Sequence, residues 1–159
     1  MSAAAVVHPE LAEGSFERAI QPLLDDPQKY EKFGVRLVGF DFPYLDIDLY
    51  WRAQGRVIRL RVDGTDFPYR PIGGWWIDSS GQRLNAGARQ VPSGSGFHTQ
   101  NQRSEHECWF CWLGWREYHD YSGHQDTSWA SIRRDEAYGV LRLVLRLHDD
   151  LNRTGVNLA

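Results

Sequence analysis

Lysine is almost missing from this chain. Lys29 and Lys32 are the only two, and every other residue of the 18 Lys and Arg is arginine. Codon usage in a GC-rich genome produces such a bias. So would selection against nearby amines in a protein that handles an activated acyl group, because lysine is a good acyl acceptor. Cysteine is as scarce, with only Cys108 and Cys111. Two cysteines, and a start (MSAAAVVHPE) without the basic region of a secretory leader, predict a reducing cytoplasmic setting and no structural disulfide. There is no basic surplus either: a net charge of −3 excludes general nucleic-acid binding. No apolar run approaches the roughly 20 residues of a membrane span, so no membrane partner is expected. No repeat or linker divides the chain, and 159 residues predict a single domain, 1–159, with a core that needs no disulfide. The glycines of PSGSG (92–96) have no strand before them and no Lys-Ser/Thr after them, so no nucleotide or other cofactor is expected.

What is present is well patterned. Residues 9–31 carry Leu11, Phe16, Ile20 and Leu23/Leu24 at helical spacing, with Pro22 and Pro27 limiting the helix. Three strand-like runs follow at 35–40, 44–52 and 56–63. Leu45, Ile47 and Leu49 alternate with polar residues, and the short turn AQG (53–55) separates the second run from the third. This predicts an antiparallel meander with one solvated face. A further strand is expected at Trp75–Asp78. Residues 79–105 are polar and irregular, and a loop of that length in a compact domain is functional or disordered. From Ser131 the pattern is helical again, with Ala137, Val140/Leu141, Val144, Leu147 and Leu151 on one face. The fold class is therefore α+β: an N-terminal helix, an antiparallel β-meander, an irregular loop and a C-terminal helix.

The chemistry concentrates in HECWFCWLGWREYHDYSGH, residues 106–124. A cysteine is both a nucleophile and a good leaving group at neutral pH, which suits acyl relay through a thioester. The rival is structural zinc: Cys108, Cys111, His119 and His124 form a soft ligand set at short spacing, with His98 and His106 as further candidates. The gap between its two pairs is shorter than in common zinc fingers, and Trp109, Phe110 and Trp112 crowd it, so no metal is expected. A redox pair is disfavoured because Cys-Trp-Phe-Cys follows no βαβ pattern. Trp75, Trp76, Trp109, Trp112, Trp115 and Trp129 are read as core under the loop. An exposed aromatic patch that binds a partner without catalysis is the other reading.

Several short motifs fall in a familiar order. FPYRP (67–71) is similar to the Tyr-Pro-Phe-x-Pro-Pro turn of ubiquitin-conjugating enzymes. FHTQN (97–101) resembles their His-Pro-Asn site, and a cysteine follows shortly after. SWAS (128–131) resembles their Trp-Ser-Pro, and YGVLRLVLRLHDDLN resembles the helix behind it. The chain as a whole resembles the divergent bacterial members of that family, with a longer stretch from cysteine to Trp129 than in eukaryotic members and no proline in FHTQN. Those relatives accompany a ubiquitin-like protein, an activating enzyme and a deconjugating peptidase in antiviral operons.

The resemblance implies a ubiquitin-conjugating-enzyme-like core and a transferase. Its partners would be a ubiquitin-like protein, an activating enzyme and an acceptor protein. It implies a nucleophile at Cys108, which better fits the spacing from Asn101, or at Cys111, which has an apolar residue on either side; Cys111 is preferred. It also implies that His98 and Asn101 match the His and Asn of the motif, with Asn101 as the oxyanion donor. Asp120, His119 or His124 would help the incoming amine lose its proton. The first helix, with Glu13, Glu17 and Arg18 outward, would receive the activating enzyme.

Overall fold

The computed structural model describes residues 6–86, 90–101 and 107–159. The chain is mixed α+β: helices and a four-stranded antiparallel sheet share one hydrophobic core.

Helix α1 (Pro9–Asp25) starts on Pro9 at its first position, with the His8 ring accepting from the Glu10 N–H at 3.3 Å. It buries Ala12, Phe16, Ile20 and Leu23. Two details differ from the sequence expectation. Leu11 is 67% exposed, and Ala12 takes its place. At about 100° per residue, Leu11 lies about 140° from Phe16, whereas 12, 16, 20 and 23 keep one stripe. The helix also continues past Pro22 to Asp25, so Pro22 does not end it. The break comes at Asp26, whose side chain accepts from Lys29 N–H and caps the short α2 (Pro27–Glu31).

The meander forms as expected. Strands β1 (Val35–Asp41), β2 (Tyr44–Trp51), β3 (Arg56–Asp63) and β4 (Gly73–Ile77) pair in sequence order. Gly55, at φ +60°, closes the turn between β2 and β3. Leu45, Ile47 and Leu49 face Val62, Leu60 and Ile58 across the register, and all six are buried. The opposite face holds charges that also match in register: Asp46 opposite Arg61 and Asp48 opposite Arg59. Arg59 and Arg36 bond Asp48 at 2.8 and 2.6 Å. Burial raises the Asp48 carboxyl, but the two guanidiniums outweigh it and hold the group below its ordinary range.

Between β4 and the C-terminal helix the described residues make short pieces. These are β5 (Pro92–Ser93), β6 (Phe97–His98), β7 (Trp109–Phe110), α3 (Arg116–Asp120) and α4 (Trp129–Ile132). The C-terminal helix starts later than the pattern from Ser131 predicts. A 3-10 turn at Glu136–Tyr138 precedes α5 (Val140–Leu151), because Asp135 bonds Ala137 N–H and closes a separate turn. Helix α5 buries Val140, Leu143, Val144, Leu147 and Leu151, adding Leu143 to the expected face. A last strand, β8 (Asn157–Leu158), pairs with β5. Among the described residues no helix is long and apolar enough to cross a membrane.

Candidate active site

The cysteine segment is anchored to the sheet before it carries chemistry. Arg116 donates to Asp63 Oδ2 at 2.9 Å and to the carbonyls of Pro71 and Thr65, while its N–H bonds Ile72 O. Strand β7 pairs with β6, Phe97 opposite Phe110 and His98 opposite Trp109. Alternation along β7 then separates the two cysteines. Cys108 goes with Phe110 into the core, and Cys111 goes with Trp109 toward the outer side. Phe110 packs against Trp76, Phe97 and Trp115. Trp109 is stacked between His98 and Tyr121, at 4.6 and 5.3 Å.

The two thiols therefore differ chemically. Cys108 is 2% exposed, and burial pushes its pKa up to about 11. Cys111 is half-buried; burial raises its pKa as well, but its Sγ lies 3.3 Å from His124 Nε2. The Cys111 N–H is fixed to Gly96 O at 2.9 Å. The His124 ring lies on Tyr118, with centroids 4.1 Å apart and planes 10° from parallel, and the His124 backbone N–H donates to Tyr121 O. A nucleophile and a base within hydrogen-bond reach, with the base held by packing, is the minimum unit for thiol activation.

The other predicted residues are spread over two recesses. His98 is exposed on the far face of Trp109; burial, then repulsion from His124, lower its pKa. Asn101 and His98 line a recess with Gly96, Trp109 and Tyr121. Asp120 is exposed, 3.8 Å from Arg70, on a second recess that His119 and His124 also line. His119 is committed to structure: its Nε2 accepts from Gly114 N–H at 3.0 Å, and burial lowers its pKa.

The zinc ligand set does not assemble. Cys108 and Cys111 lie on opposite sides of β7, and His119 Nε2 is already occupied. Among the described residues no three of His, Cys, Asp and Glu are grouped to hold a metal. His106 lies outside the described residues. The aromatic-patch reading fares similarly, since none of the six tryptophans it invoked is exposed: Trp75 and Trp112 are partly buried and the other four buried.

One residue escaped the sequence reading. Glu117 Oε2 is buried without a hydrogen-bond partner among the described residues, and burial pushes its carboxyl up to about 7 against the pull of Arg116 and Arg83. A glutamate in the first turn of a short helix reads as solvated, so its sequence context carried no signal. The chain matches no protein-family model and no curated protein.

Proposed function

We propose that this protein carries a ubiquitin-like protein as a thioester on Cys111, receiving it from an activating enzyme and yielding it to an acceptor amine. The observation that carries the reading is the Cys111–His124 contact on a segment clamped beside an antiparallel meander. Two further features support it. The layout is one: a helix precedes a four-stranded antiparallel meander and another closes the chain. The FPYRP and SWAS motifs also touch, Trp129 Nε1 donating to Pro68 O at 2.8 Å.

In the first step the Cys111 thiolate attacks the carbonyl carbon of the activating enzyme's thioester. A new C–S bond forms, the old one breaks, and the leaving thiolate takes the proton that Cys111 gave up to His124. In the second step the acceptor nitrogen attacks the same carbon, Cys111 leaves with the electron pair, and an amide forms. His124 is then without a thiol proton to share and can take one from the amine. Asn101 is the proposed oxyanion donor from the neighbouring recess; removing such a donor costs about 2.7–4 kcal/mol.

The test is charging with the activating enzyme, ATP and the ubiquitin-like protein. A reductant-sensitive adduct is expected, and Cys111→Ala abolishes it. An adduct lost only in Cys108→Ala would overturn the site; indifference to both would overturn the reaction.

A further inference from the structure

The recess beyond His124 has an unusual charge arrangement. It measures about 560 Å³, within the range of ligand sites, and Tyr69, Arg70, His119, Asp120, His124 and Arg133 line it. Several arginines elsewhere among the described residues are committed. Arg59, Arg61 and Arg116 each bond a carboxylate at 2.8 or 2.9 Å. Arg70 and Arg133 differ. Among the described residues the Arg70 guanidinium reaches only Asp120, at 3.8 Å and beyond hydrogen-bond distance. Arg133 sits 5.7 Å over the Tyr69 ring and meets no carboxylate among the described residues. Neither guanidinium donates a hydrogen bond to a described residue.

Two permanent cations thus share the recess with one carboxylate, and His119 adds no full charge because its Nε2 already accepts Gly114 N–H. A guanidinium is a planar fork that matches a carboxylate. A lone carboxylate in the same recess suits an ammonium. His124 joins this recess to the thiol, since its ring lines the wall and its Nε2 faces Cys111 Sγ.

We propose that this recess selects the acceptor, taking a lysine side chain flanked by acidic residues. Asp120 draws the ammonium toward Cys111, and Arg70 and Arg133 engage the flanking carboxylates. This rests on Cys111 being the thioester carrier. The lysine nitrogen attacks the thioester carbonyl, the C–N bond forms as C–S breaks, and the ammonium loses two protons. One reaches Sγ through His124 and restores the thiol; the other passes to water.

The experiment is single-turnover discharge of the charged protein, separated from the activating enzyme, onto three short peptides with Glu-Lys-Glu, Ser-Lys-Ser and Arg-Lys-Arg centres. Glu-Lys-Glu should react roughly five- to tenfold faster than Ser-Lys-Ser, with Arg-Lys-Arg slowest, and high salt should compress the order. Flanking glutamates also alter the amine itself, so the deciding variant is Arg70→Glu with Arg133→Glu, which should reverse the order. Arg70→Gln with Arg133→Gln should flatten it. Equal rates for the three peptides, or an order that survives charge reversal, would overturn the proposal. Titrating the uncharged protein with the Glu-Lys-Glu peptide, read on the ring protons of His119 and His124, decides the recess independently of the reaction. Shifts that vanish in the double variant support it. If no thioester ever forms, the reaction has failed, while absent shifts would sink the recess.

Discussion

Cys111 Sγ and His124 Nε2 lie 3.3 Å apart, although 13 residues separate them in the chain. Cys108, only three positions before Cys111, is sealed in the core with its pKa pushed up to about 11. Cys111 has a base beside it and Cys108 has none among the described residues, so reactivity should differ far more than chain position implies.

Alkylation reads that difference directly. At pH 7.5 iodoacetamide should label Cys111 and leave Cys108 untouched until the protein unfolds. His124→Gln should slow Cys111 labelling roughly tenfold at neutral pH, with the gap closing at high pH as the thiol ionises unaided. Labelling of Cys108 in native protein, or no effect of His124→Gln, would contradict the assignment.

Glu117 makes stability depend on pH in a defined direction. Its folded pKa is raised from 4.5 to about 7 by burial, so the folded state binds the extra proton between those values. Stability from this group is full below 4.5, falls as pH rises through that window, and is gone above about 7. The linked free energy is on the order of 3 kcal/mol. His98, His119 and His148 have lowered values and slope the other way up to 6.5, so the difference between variant and wild type isolates Glu117. Urea unfolding of Glu117→Gln should show a gain over wild type at pH 8 that disappears at pH 4.5.

The meander was legible because one face of each strand is buried, so Leu45, Ile47 and Leu49 had to alternate with Asp46 and Asp48. The ends of helices were less so. Helical spacing sets Ala12 rather than Leu11 on the stripe of Phe16, but an alanine is a weak apolar signal beside a leucine, and Pro22 is accommodated within the helix. At the site, the residue types were visible but the partners were not. His119 and His124 look alike in sequence. Only tertiary contacts give one to Gly114 and the other to Cys111, and the Arg116–Asp63 clamp spans 53 residues.

Gly96 couples the loop to Cys111. Its carbonyl holds the Cys111 N–H, its φ is +98°, and a Cβ there would stand 2.5 Å from a Trp112 ring carbon. Gly96→Ala should cost about 2 kcal/mol of stability by chemical denaturation and slow Cys111 alkylation. Unchanged stability would mean the loop has room that these contacts deny it.

The exposed side of α1 presents Leu11, Glu13, Glu17 and Arg18. If the activating enzyme docks there, Glu17→Arg with Arg18→Glu should slow charging of Cys111 and spare discharge of protein already charged. Charging at the wild-type rate would place the dock elsewhere.

The most direct test of the central claim is to trap the linkage. Cys111→Lys, incubated with the activating enzyme, ATP and the ubiquitin-like protein, should give an adduct that survives reductant, and peptide mapping by mass spectrometry should locate the isopeptide bond at position 111. A stable adduct elsewhere, or no adduct while wild type charges through Cys108, would contradict the account.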